Sequence, residues 1–107
     1  MAEVLYNVTV NVSDEVHLEW VDWMKETHIP AMLKTGLFTA ATFVRVHAFE
    51  QGGSTYAVQY ACQSMDDLDR YQREFAPGLR EKTEKVFGDH VHAFRTTLEV
   101  LARFKAS

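Results

Sequence analysis

Four stretches of this chain alternate as strands do, and two longer ones repeat at helical spacing. Val4, Tyr6, Val8, Val10 and Val12 alternate with Leu5, Asn7, Thr9 and Asn11, a β-branched, period-two pattern that predicts a half-buried strand. Ser13 or Asp14 then offers an N-cap to a helix in which Val16, Trp20, Trp23 and Met24 recur every three or four residues, with Glu19, Asp22, Lys25 and Glu26 opposite. His28-Ile29-Pro30 interrupts it, because proline lacks a backbone donor and disfavours helical geometry at the residue before it. A kink or restart is expected there, with Gly36 as the stop.

A second strand is expected over 40–49 and a third over 55–62, joined by a hairpin at Gln51-Gly52-Gly53. A loop of three or five residues would set Arg45 opposite Gln59, Val46 opposite Val58 and Val44 opposite Tyr60, keeping one face wholly apolar. A two-residue loop would instead put Arg45 and His47 on the face of Val58 and Tyr60. Burial specifies register, so the pattern favours the odd loop with a glycine-supported bulge. Ser64-Met65-Asp66-Asp67 is a capping-box variant opening a second helix, with Met65, Leu68, Tyr71, Phe75 and Leu79 along one side. Ala76-Pro77-Gly78 breaks that helix before it resumes to Phe87. A fourth strand over 91–101 is read with Phe94, Leu98 and Val100 toward the core and Ala93, Arg95, Thr97 and Glu99 away from it. Residues 103–107 read as a frayed tail.

The order βαββαβ predicts an α+β, ferredoxin-like single domain over 1–107: a four-stranded antiparallel sheet with two kinked helices on one face. The other face is then open. It is expected to carry Asn7, Arg45, Gln59, Arg95 and Glu99, with Leu5, Phe43 and the small Ala41, Ala57, Ala61 and Ala93 between them. Such a face suits packing against a second copy, which would also protect the edge strands.

Composition narrows the function classes. The 107 residues are 47% hydrophobic and 24% charged, which is ordinary for a globular domain and argues against disorder. The net charge of −4 and the interleaving of Arg80, Lys82 and Lys85 with Glu81 and Glu84 leave no basic stripe, so nucleic acid is not an expected partner. No apolar run is long enough to span a membrane, and no signal-peptide pattern opens the chain. One cysteine, Cys62, forbids an internal disulfide, and a cytoplasmic location is the expectation.

Several runs have a specific look: Tyr6-Asn7-Val8-Thr9-Val10-Asn11-Val12, Trp20-x-x-Trp23-Met24, His28-Ile29-Pro30, Thr35-Gly36-x-Phe38, Thr55-Tyr56-x-Val58-Gln59-Tyr60, and Phe94-Arg95-Thr96-x-Leu98-Glu99-Val100. Together they resemble a family known only as a domain of unknown function. The resemblance covers nearly the whole chain. It implies a ferredoxin-like or dimeric α+β barrel fold and brings no established activity. Haem chemistry on this scaffold commonly uses a histidine of the second helix, and residues 65–87 contain none.

The candidate chemistry is modest. Arg45, Arg95 and Glu99, with Asn7 and Gln59 as neutral donors, either hold a small anionic molecule or pair across a dimer to fix its register. His47 and Asn7 are the weak catalytic candidates for a cofactor-independent oxygenase or isomerase. A purely structural or regulatory dimer is the third reading. His90 and His92 form an HxH pair beside Asp89 without a third ligand at recognisable spacing, and His17 and His28 lie too far apart to share an ion, so no metal site is expected. Trp20 and Trp23 read as core anchors, Cys62 as a buried thiol, and no cofactor motif is present.

Overall fold

A computed structural model describes residues 3–47 and 52–107. In chain order they form β1 (Val4–Val12), α1 (His17–Trp23), a π-helical turn (Met24–His28), α2 (Ile29–Lys34), β2 (Ala40–Arg45), β3 (Ser54–Cys62), α3 (Met65–Glu74), α4 (Ala76–Phe87), a 3₁₀ turn (Gly88–His90) and β4 (Val91–Glu99). The sheet is antiparallel, in the order β2-β3-β1-β4. This is the ferredoxin-like arrangement, with each expected helix broken into two segments.

The two central strands carry the core. Val4, Tyr6, Val10 and Val12 of β1 and Tyr56, Val58, Tyr60 and Cys62 of β3 are buried on one side, beneath Trp20, Met24, Met32, Leu68 and Tyr71 from the helices. Tyr6, Phe38, Tyr60 and Tyr71 form a connected aromatic cluster, with centroid separations from 4.9 to 6.2 Å. Cys62 is buried there, and desolvation, aided by nearby Asp67, pushes its thiol pKa up. Ser64 caps α3 as the sequence suggests, its Oγ accepting from the Asp67 amide at 3.2 Å.

The edge strands overturn two expectations. Arg45 pairs with Tyr56, Phe43 with Val58 and Ala41 with Tyr60, so the register is the even one and not Arg45 opposite Gln59. In β4, Ala93 pairs with Val10, Arg95 with Val8, Thr97 with Tyr6 and Glu99 with Val4. Directly paired residues share a face, so Ala41, Phe43, Arg45, Ala93, Arg95 and Glu99 all lie on the helix side, and Val44, Phe94 and Leu98 lie on the open side. The physical reason is that these edge strands carry apolar residues on both faces: in β2 Phe43 packs inward beside Trp20 and brings Arg45 to the same side, whereas in β4 Phe94 and Leu98 turn outward. Arg45 covers the Tyr56 ring, its guanidinium 5.7 Å from the ring centroid. Arg95 faces a cavity and not packed side chains.

The hairpin's Gly53 cannot be replaced without strain. Its φ is +75°, and an added Cβ would lie 2.8 Å from both Asn11 Oδ1 and the Val12 carbonyl oxygen. The part of the expected second strand beyond His47, and Gln51 of the hairpin, lie outside the described residues. After Glu99 the chain has no regular structure, and Arg103 forms an ion pair with Glu3.

Candidate functional site

Pro30 shapes the site. It has no N–H to give the Glu26 carbonyl, and its ring would crowd that oxygen in a regular α-helix. The chain widens instead: the Ile29 amide bonds the Met24 carbonyl five residues back, a π turn. Side chains spaced by four drift about 40° per step around an α-helix. The wider turn takes up part of that drift, and Trp20, Met24, His28 and Met32 all reach one cavity between the helices and the sheet.

The cavity holds about 310 Å³. Tyr6, Val8 and Val10 of β1 and Tyr60 of β3 form its floor, with Ala93 and Arg95 of β4 at one side. Tyr71 of α3 and Leu79, Arg80, Thr83 and Glu84 of α4 complete the wall. Arg80, Glu84 and Arg95 are exposed and form its wet rim, whereas Tyr6, Tyr60 and Tyr71 are buried at the aromatic end. A largely apolar pocket with a few convergent polar groups is the usual form of a small-molecule site.

The polar groups are differently occupied. Arg80 Nη2 donates to the Tyr6 hydroxyl at 3.2 Å and to Gln72 Oε1 at 3.0 Å. The Tyr71 hydroxyl donates to Met32 Sδ at 3.1 Å. Burial raises the pKa of Tyr60 and of Tyr71, and neighbouring tyrosines add to both shifts, so these stay neutral phenols. Among the described residues the Arg95 guanidinium has no hydrogen-bond or ion-pair partner. His28 is half-buried, stacked on Trp23 with ring centroids 5.1 Å apart and an interplanar angle of 22°. Desolvation, and secondarily the positive charge of Arg95, lowers its pKa to about 4. At neutral pH the ring is therefore uncharged, with one donor and one acceptor nitrogen.

The structure divides the residues singled out by sequence. Arg95 lines the cavity. Asn7 and Gln59 are cross-strand partners on the open face, where Asn7 Nδ2 donates to Thr9 Oγ1 at 3.2 Å. Arg45 is on the opposite edge strand from Arg95, about 14 Å away across three strand spacings. Its Nη2 lies 3.5 Å from Ser54 Oγ. Glu99 pairs with Val4 at the far end of β4, and His47 is exposed just beyond β2. Five residues expected to gather on one face therefore do not gather. Among the described residues no three His, Cys, Asp or Glu side chains are grouped to hold a metal ion, and no helix is long and apolar enough to cross a membrane.

The cavity residues that sequence reading missed are His28, Tyr6, Tyr60, Tyr71 and Arg80. A signal for the first was present. Trp20, Met24, His28 and Met32 recur every four residues, and Pro30 sits where a π turn would keep them in line.

Comparison with known proteins fits this fold. Residues 3–101 match the family model described as "Domain of unknown function (DUF4286)", and the chain belongs to that family. No curated protein matches it. Among solved structures it is similar to a dimeric ferredoxin-like protein from an uncultured marine organism, at 10% identity over 97% of this chain and 100% of that one, with a TM-score of 0.75. It is similar to MhuD, in a mutant form with two manganese protoporphyrin IX bound per active site, at 13% identity over 96% and 99% of the two chains (TM-score 0.71). An EthD family protein from Bacillus halodurans gives 14% identity over 90% and 97%, with a TM-score of 0.64. At these identities the likeness establishes the fold.

Proposed function

We propose that this protein binds a small, singly charged anion with an apolar or aromatic body in the cavity beneath the sheet. The observation that carries the reading is the Arg95 guanidinium, without a hydrogen-bond or ion-pair partner among the described residues, at the rim of a cavity of about 310 Å³ whose inner wall is aromatic. Arginine presents a planar fork that matches a carboxylate. The anionic-ligand reading of the sequence is thus kept, on the other side of the sheet.

Isothermal titration with 3-phenylpropionate and phenylacetate at pH 7 tests it. Binding is expected, and Arg95→Ala should weaken it about tenfold or more, since a hydrogen bond to a charged group contributes about 1.5–3 kcal/mol. Arg95 sits on an exposed edge position, so the variant should fold. Equal affinity in the two proteins would sink the assignment.

The open face supports self-association as part of this reading. Phe94 is 71% exposed and Leu98 37%, and Val44 lies at the other edge of the same face. Apolar groups gathered on one otherwise uncovered sheet face suit a second copy related by a two-fold axis. One structural neighbour is itself described as dimeric. Light scattering at micromolar concentration should give a dimer, and Phe94→Glu should give a monomer with an unchanged circular dichroism spectrum. A wild-type monomer would remove this part of the proposal.

A further inference from the structure

The cavity's polar groups define more than a charge. Within one small cavity, His28 arrives from the helical layer and Arg95 from β4, and among the described residues neither has a hydrogen-bond or ion-pair partner. Arg80 is already held by Tyr6 and Gln72. Of the described histidines only His17 makes a ring hydrogen bond, to the Tyr56 hydroxyl at 3.2 Å. The His28 ring is fixed in plane by its stack on Trp23. Its nitrogens and the Arg95 fork are thus free for a ligand.

We propose that the cavity selects aryl α-hydroxy or α-keto acids: the carboxylate on Arg95, the adjacent hydroxyl or keto oxygen on His28, and the ring among Tyr6, Tyr60 and Tyr71. This rests on the cavity being the ligand site. Three features of the site lead to it. Two convergent groups, one cationic and planar and one neutral and able both to donate and to accept, match two oxygen functions on neighbouring ligand atoms. Burial, with the charge of Arg95 adding to it, keeps the His28 ring uncharged at neutral pH, so it brings no second positive charge for a second carboxylate and suits a neutral oxygen. The two rim arginines, Arg80 and Arg95, against the single carboxylate of Glu84, also disfavour a metal cation, even though Met24, His28 and Met32 share the cavity-facing stripe. The buried tyrosines give flat, apolar walls suited to an aromatic ring.

A site built to hydrogen-bond a substrate oxygen discriminates strongly against the analogue lacking it, because the buried partner is then left unpaired. The test is titration calorimetry with four probes of one skeleton: 3-phenylpropionate, 3-phenyllactate, phenylpyruvate and benzylmalonate. 3-Phenyllactate or phenylpyruvate should bind at least tenfold tighter than 3-phenylpropionate, and the dianion benzylmalonate no better than 3-phenylpropionate. His28→Phe keeps the stack and removes the nitrogens; His28→Gln is a second variant should the first not fold. Either should erase the preference, bringing 3-phenyllactate and phenylpyruvate to within about twofold of whatever affinity the same variant has for 3-phenylpropionate. Equal affinity for phenylpropionate, phenyllactate and phenylpyruvate would overturn this inference and leave the cavity reading standing. Tightest binding of benzylmalonate, or a preference that survives both His28 variants, would overturn it likewise. No binding by any probe would overturn both.

Discussion

Trp20→Ala should cost this protein about 3–5 kcal/mol of folding stability, the range for removing a large aromatic from a core. Trp20 is 1% exposed and lies between Phe43 and Tyr56, with centroid separations of 5.7 and 5.3 Å. Against the roughly 5–15 kcal/mol of a typical domain, that loss is close to disabling. Trp20→Phe should cost much less than lost area alone suggests. The indole Nε1 is buried without a hydrogen-bond partner, and removing an orphaned donor recovers part of its desolvation cost. Urea unfolding gives both numbers from the shift in midpoint at constant slope. A Trp20→Ala protein within 1 kcal/mol of wild type would mean that the first helix does not anchor on the sheet as described.

Acid should destabilise the fold through His28. In the unfolded chain its pKa returns to about 6.5, whereas in the native protein it is about 4. Between those values the unfolded chain holds the extra proton, so stability rises with pH. The contribution is fully present above about pH 6.5, is lost progressively as pH falls toward 4, and changes no further below that. The gap corresponds to about 3 kcal/mol. Carboxylates also titrate in the lower part of this window, so the measurement is a difference. Urea midpoints of wild type and His28→Gln at pH 4, 5, 6 and 7 should converge toward the acid end, with the wild type losing more. Parallel curves would show that His28 is not held neutral by burial and Arg95.

The central half of the sheet was legible in the sequence, and its edges were not. β1 and β3 alternate cleanly because each has one face buried against helices, so the shared face of Val8 and Val58 follows from pattern, while their direct pairing is set by the structure. β2 and β4 carry apolar residues on both faces: Phe43 faces the helices, whereas Val44, Phe94 and Leu98 face outward. Period-two sorting then placed Arg45 and Arg95 on the wrong side, and the candidate site moved with them. A cavity is invisible to such sorting, since a polar residue facing an internal void resembles one facing solvent. The break at Pro30 was read correctly as a break. Its consequence, a π turn that turns His28 inward, depends on which way the backbone relaxes, and residue spacing alone does not decide that.

Methyl NMR locates the ligand within the fold. Met24 and Met32 line the cavity, Met65 is exposed on α3, and Leu5 and Leu98 lie on the open face of the sheet. Protein labelled at methionine and leucine methyl groups would be titrated with 3-phenylpropionate. Saturable shifts at Met24 and Met32, with Met65, Leu5 and Leu98 unmoved, are the expected result. Shifts confined to Leu5 and Leu98, with the cavity methionines still, would contradict it and return the site to the open face.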